Sequence, residues 1–116
     1  GPRETKLNQQ IEKDSPAPVF NTGNDNSLRE FAGLMSMTDV VVCSDTLALH
    51  LALALKRKVV ALFGPTCPQE IDLYDIGVKL YAGLSCSPCY KQTCSDLSCM
   101  KSITPAQVFQ AIKSLL

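Results

Sequence analysis

DVVVCSDTLALHLALALKRKVVALFGPT, residues 39–66, is the stretch that decides the fold of this chain. Two apolar runs rich in β-branched residues, 39–43 and 58–63, lack polar alternation, as in strands covered on both faces of a parallel sheet. Between them, residues 46–56 are helix formers that are apolar nearly all round, which predicts a helix covered by protein on most sides. Strand, tight turn, helix and strand in this order form a βαβ unit. We therefore predict an α/β fold with a Rossmann-like parallel sheet and flanking helices.

The flanking segments predict further elements of the same fold. We predict a helix over residues 4–13, a short strand at Val19-Phe20, a helix that begins at a Ser27–Glu30 capping box, a strand over 78–81 and a closing helix that begins at a capping box over 104–107. No internal repeat or low-complexity tract interrupts this order.

Composition limits the classes of function. The chain has 116 residues, of which 46% are hydrophobic, enough for one domain with a single core. Its formal net charge is zero and it has no tryptophan, so nothing favours nucleic-acid binding. The chain does not open with a signal-peptide pattern, and its longest apolar stretch, Thr46–Leu55, is too short to span a bilayer. We expect a cytoplasmic protein.

Polar residues follow the first predicted strand, where ligands bind in open parallel sheets. Asp45 and Thr46 come directly after it, and Leu47 and His50 lie in the first turns of the next helix. The free amides at such a helix start favour a phosphate or diphosphate. Asp45 would accept hydrogen bonds from sugar hydroxyls, and His50 would donate to a phosphate or sugar oxygen. The alternative is that Asp45 only caps the helix and His50 only packs.

A second candidate loop follows the next strand. Gly64, Pro65 and Thr66 end that strand at the same edge of the sheet, which makes a pocket shared with the first loop geometrically reasonable. In most proteins such a sequence is a plain turn.

Four cysteines lie close together in a predicted loop over residues 86–99. Cys86, Cys89, Cys94 and Cys99 would suit a structural zinc ion or an iron–sulfur cluster, although the spacing differs from that of the usual paired knuckles. One or two disulfides, or reduced thiols, are the alternatives. Cys43 ends a buried strand, which favours an inert core thiol.

These segments, taken in order, resemble the C-terminal domain of family 9 glycosyltransferases, the ADP-heptose:lipopolysaccharide heptosyltransferases. The family has the motif Asp-Thr-Gly-x-x-His after one strand and Gly-Pro-Thr-Asp-Pro after the next strand. The corresponding sequences in this chain are DTLALH at 45–50 and GPTCP at 64–68. CSPCYK at 86–91 and ITP at 103–105 also resemble family segments. Gly1-Pro2-Arg3-Glu4 resembles a family Gly-Pro-x-Glu in which the Glu lies near the donor ribose.

The resemblance implies the C-terminal half of the GT-B architecture and a domain, incomplete over residues 1–116, that binds a nucleotide-sugar donor. It implies heptose transfer from ADP-heptose to a lipopolysaccharide core acceptor at the inner face of the inner membrane, without a required cofactor or metal. The donor-binding residues that it implies are Glu4, Asp45, Thr46, Leu47, His50, Gly64, Pro65 and Thr66. Leu47 stands where the family has Gly, and Cys67 where it has Asp.

The same resemblance implies that the N-terminal acceptor domain, with the carboxylate base, is missing from this chain. We therefore assign no catalytic residue and expect no turnover by the chain alone. We expect an exposed sheet edge and apolar helix that favour self-association. Two alternatives remain at this point: a non-catalytic Rossmann-like binding or interaction module, and a small metal-stabilised structural domain.

Overall fold

The computed structural model of the chain describes residues 2–116, without the side chain of Pro2. The chain divides into two compact units, the first ending at Gly33 and the second running from Leu34 to Leu116. Its helices and strands are α1 (Thr5–Asp14), α2 (Leu28–Ser36), β1 (Val40–Ser44), α3 (Leu47–Ala54), β2 (Lys58–Phe63), β3 (Gly77–Tyr81), α4 (Ser98–Lys101) and α5 (Pro105–Leu115). A single domain over residues 1–116 stays a prediction.

The first unit has no buried core of its own. No residue between positions 3 and 33 is buried, and Asn8 Nδ2 of α1 donates to Asn24 Oδ1 at 2.8 Å. The predicted helix over 4–13 is confirmed by α1. The predicted strand at Val19-Phe20 is wrong, since no strand forms there and Phe20 is 89% exposed. A strand is stable only when a neighbouring strand pairs with its backbone, and two apolar residues do not by themselves provide such a partner.

The two capping boxes form as the sequence predicts. The Ser27 amide donates to Glu30 Oε2 at 2.8 Å, and the Glu30 amide donates to Ser27 Oγ at 3.3 Å. Thr104 and Gln107 make the same reciprocal pair at the start of α5. Each pair satisfies amides that the first helical turn leaves without a partner, so both helix starts are encoded locally.

The second unit is built on a parallel sheet of three strands in the order β1-β2-β3. Helix α3 packs on β1 and β2, while α5 packs on β2 and β3. In the central strand, Val59, Val60 and Ala61 are all fully buried. Because consecutive side chains point to opposite faces of a strand, protein covers both faces of β2. The predicted α/β Rossmann-like parallel sheet with flanking helices is confirmed.

Burial of β1 and α3 is less complete than their apolar sequences predict. Val42 is 43% exposed and Leu47 is 62% exposed, and only Leu49 and Ala52 of α3 are buried. The prediction that protein covers α3 on most sides is therefore wrong for the residues that the structure describes. The physical reason is the strand order, since β1 pairs with a neighbour on one side only. The expected exposed sheet edge and apolar helix are both present.

Within residues 2–116, no helix combines the length and the apolar character that crossing a membrane requires.

Candidate functional site at the carboxyl edge of the sheet

The loop from β1 to α3 presents a helix start at the carboxyl edge of the sheet. Strand β1 ends at Ser44, and α3 begins only three residues later, at Leu47. Thr46 is the N-cap residue in extended conformation, and its side chain makes no capping hydrogen bond; its hydroxyl donates to the Ser44 carbonyl at 3.3 Å. The Leu49 amide bonds back to the Thr46 carbonyl at 3.0 Å. The amides of Leu47 and Ala48 belong to the first turn of the helix, where backbone amides have no acceptor within the helix.

Asp45 and His50 come together beside this helix start. His50 Nε2 lies 3.9 Å from Asp45 Oδ1, and the two side chains are 59% and 20% exposed. His50 is therefore not the packed core histidine of the alternative interpretation. The distance is too long for a hydrogen bond and short enough for electrostatic attraction when the imidazole is protonated. Asp45 also lies near Cys43, whose pKa is raised to about 11, first by burial and then by the Asp45 charge.

The turn after β2 lies next to this loop. Ser44 pairs with Leu62 in the β1–β2 ladder, so the segment from Gly64 to Thr66 leaves the same edge of the sheet as Asp45 and Thr46. Gly64 is buried, and a Cβ added there would lie 2.5 Å from Met100 Sδ and 3.3 Å from Cys99 Sγ. The turn thus passes close to α4 at a point where only glycine fits without a shift.

The cysteine-rich loop lies against the same turn, a placement that the sequence did not predict in detail. The Ser87 hydroxyl donates to the Gly64 carbonyl. The amides of Cys89 and Tyr90 both donate to the Pro65 carbonyl at 2.9 Å. A hydrogen bond to Glu70 is the main cause that raises the pKa of Tyr90, to about 12. Sequence reasoning assigned no role to Ser87 and Tyr90; the resemblance of CSPCYK to a family segment was the only available signal.

The four cysteines of the loop are not grouped in this arrangement. Among residues 2–116, no three His, Cys, Asp or Glu side chains are grouped so that they could hold a metal ion. All six cysteines are free, and Cys86 and Cys94 are exposed. A structural zinc ion or iron–sulfur cluster at Cys86, Cys89, Cys94 and Cys99 stays a prediction, as do the alternatives of disulfides and reduced thiols.

Alkylation of the native chain with iodoacetamide near neutral pH tests this arrangement. We expect Cys94 to react first and Cys43 last, at rates that differ by at least about tenfold, because the thiolate is the reacting form. Backbone hydrogen bonds, first from Leu97 and then from Asp96, lower the pKa of exposed Cys94, whereas burial raises that of Cys43. Mass spectrometry of the digested protein measures the order, and Cys94→Ser is the control that should remove the fastest modification. Joint protection of all four loop cysteines, reversed by a chelator, would contradict the free-thiol arrangement.

Glu4 is the one candidate donor-binding residue outside the second unit. It ends a 3₁₀ turn, Pro2–Glu4, and is the N-cap residue of α1. Its suggested place near a donor ribose stays a prediction, and Gly1 of the same motif lies outside the described residues.

Comparison with known proteins identifies the family. The sequence model of glycosyltransferase family 9 (heptosyltransferase) matches residues 2–100. The chain belongs to glycosyltransferase family 9. It is 32% identical over 111 residues to lipooligosaccharide heptosyltransferase 2 of Campylobacter jejuni subsp. jejuni serotype O:2, covering 92% of this chain and 35% of that protein. The protein of the same name from serotype O:6 is 31% identical over 110 residues, covering 91% of this chain and 35% of the relative.

The chain of this family 9 member thus spans about a third of the length of the curated relatives that it matches. No solved structure matches it.

Proposed function

We propose that the second unit of this chain is the donor-binding region of a heptosyltransferase of lipopolysaccharide core biosynthesis, and that it binds an ADP-heptose-like nucleotide sugar. The observation that carries the proposal is the start of α3 at the carboxyl edge of a parallel sheet, beside a second turn from the adjacent strand. In folds of this class, ligand phosphates bind at such a helix start. Family membership and the two heptosyltransferase relatives support the same function.

The residues have separable roles in this proposal. The amides of Leu47 and Ala48 bind the diphosphate, whose negative charge the positive end of the helix dipole favours. His50, which is 59% exposed, donates to a phosphate oxygen, while Asp45 lies close enough to orient it. Gly64 to Thr66, which leave the same edge of the sheet from the adjacent strand, border the bound donor on that side. The transfer itself would need an acceptor-binding domain and a lipopolysaccharide core acceptor, neither of which the second unit supplies, and a general base within hydrogen-bond reach of that acceptor.

Titration of the purified chain with ADP and ADP-heptose tests donor binding. We expect saturable binding, with NMR shift changes at the amides of Leu47, Ala48 and Thr66. His50→Ala should raise the dissociation constant about 10- to 150-fold, because a hydrogen bond to a charged group contributes about 1.5–3 kcal/mol. Asp45→Ala should weaken binding less, since Asp45 acts through His50 and the sugar.

Asp39→Ala is the matched control. Asp39 is an exposed carboxylate that comes just before β1, at the opposite edge of the sheet from Asp45, so its removal changes the net charge equally and should leave affinity unchanged. If the chain is folded by its NMR spectrum and binds neither ligand, the donor-binding proposal fails and the non-catalytic interaction module becomes the better interpretation.

A further inference from the structure

The cysteine-rich loop meets the turn after β2 through three hydrogen bonds. The Ser87 hydroxyl donates to the Gly64 carbonyl. The amides of Cys89 and Tyr90 both donate to the Pro65 carbonyl at 2.9 Å. Two consecutive carbonyls of the turn are therefore held by the same loop, and the bond from Ser87 is the one that a side chain supplies.

These bonds leave the next amide of the turn available. The peptide bond between Pro65 and Thr66 is trans, so the Thr66 N–H points opposite to the Pro65 carbonyl and away from the cysteine-rich loop. Within residues 2–116, neither the amide nor the hydroxyl of Thr66 has a hydrogen-bond partner. Thr66 is half-buried, and a backbone amide that is shielded from bulk water normally pairs with another group.

The Ser87 bond restrains the direction of this amide through the proline between them. The proline ring fixes the φ angle of Pro65, so only one torsion separates the peptide plane that Ser87 holds from the plane that carries the Thr66 amide. That direction matters because a hydrogen bond weakens steeply as its N–H···O angle falls.

The Thr66 amide leaves the sheet where the proposed function places the donor. The turn is at the same edge as the start of α3, where the first amides of the helix also have no acceptor within the helix. A turn whose peptide planes are fixed in advance does not have to be ordered when a ligand binds, which improves affinity without a new contact.

We propose that Ser87 is a positioning residue for the donor site. By holding the Gly64 carbonyl, its hydroxyl keeps the Gly64–Thr66 turn in the orientation that presents the Thr66 amide to a phosphate oxygen of the donor. This inference rests on the proposed donor-binding function. It gives the cysteine-rich loop a role in donor affinity that depends on a serine and on backbone amides, whatever the state of the cysteines.

Ser87→Ala tests the proposal, since it removes the hydroxyl and keeps the backbone of the loop. Without ligand, we expect the amides of Cys89 and Tyr90 to exchange with solvent severalfold faster, because the turn that carries their acceptor has lost one restraint. The dissociation constant for ADP should rise about 2- to 12-fold, the change equivalent to a net hydrogen-bond contribution of about 0.5–1.5 kcal/mol.

A spectroscopic signature separates positioning from general stability. At saturating ADP, the NMR shift change of the Thr66 amide should be smaller in Ser87→Ala than in the wild type, while those of Leu47 and Ala48 persist. Ser87→Thr keeps a hydroxyl, so it should restore slow exchange and wild-type affinity.

Ser114→Ala is the matched control. The Ser114 hydroxyl donates to the Ala111 carbonyl at 2.8 Å within α5, so this substitution removes the same kind of bond elsewhere in the second unit. It should change neither the exchange of the loop amides nor the affinity for ADP.

The outcomes distinguish this proposal from the proposed function. If the wild type binds ADP and Ser87→Ala binds it equally well, the positioning role is overturned. Weaker binding with an unchanged Thr66 shift change would also overturn it, because the effect would then not act through that amide. Ser87→Thr behaving like Ser87→Ala would overturn it as well, since the hydroxyl would not be responsible. A folded wild type that binds no ADP would refute the proposed function, and the positioning role with it.

Discussion

Replacing Gly77 by alanine is expected to lower the free energy of unfolding of this protein by about 3 kcal/mol, the upper part of the usual cost of overpacking a core. A Cβ at this position would lie 2.6 Å from Val59 Cγ1, 2.7 Å from the Val59 carbonyl oxygen and 2.9 Å from Leu73 Cδ1. Gly77 pairs with Val59 in the β2–β3 ladder. Because one of the three atoms is backbone, the two strands themselves must separate, and a change of rotamer does not relieve the contact.

Urea denaturation followed by circular dichroism measures this effect. Gly33→Ala is the matched control, since no atom lies within 4 Å of a Cβ added at that glycine of α2. Alanine is the better helix former, so this control should stabilise the chain by about 0.5–1 kcal/mol. Equal denaturation midpoints for the two variants would show that Gly77 is not as closely packed as the structure describes.

Phe63→Ala is expected to cost about 3–5 kcal/mol of unfolding free energy, the usual range for removing a buried aromatic ring. Phe63 is 1% exposed, ends the central strand and is among the largest fully buried side chains. Its loss leaves a cavity in the sheet's core immediately before Gly64, so we also expect weaker ADP binding at temperatures where the variant remains folded.

Phe109→Ala is the control for Phe63→Ala. Phe109 is 59% exposed on α5 and has the Lys113 ammonium 5.8 Å from its ring centre, so its loss should cost no more than about 1 kcal/mol. A Phe63→Ala variant as stable as Phe109→Ala would contradict the burial of the central strand.

Much of the fold could be predicted from local patterns. The run from Val40 to Phe63 predicts strand, helix and strand because unbroken apolar β-branched runs and a helix-forming segment differ in composition and length. Both capping boxes were predicted, since each satisfies its amides with side chains only three residues away. The carboxyl-edge location of Asp45, Thr46 and Gly64 followed from the parallel order alone.

Other features required the tertiary structure because they depend on residues distant in the sequence. The exposure of Val42 and Leu47 depends on which other elements pack against β1 and α3. The residue pattern within β1 and α3 does not predict those neighbours. Whether four cysteines converge depends on the path of a loop without regular structure, so their spacing alone was compatible with a metal, a disulfide or free thiols.

By itself, the sequence determined the parallel α/β class, both helix caps and the family, because these depend on periodicity and on ordered motifs within short segments. Only the tertiary structure decided that His50 is exposed beside Asp45. It also decided that Ser87 and Tyr90 donate to the Gly64 and Pro65 carbonyls from more than twenty residues away. A hydrogen bond across such a separation forms when packing brings its partners within reach, and neither partner's local sequence specifies the other.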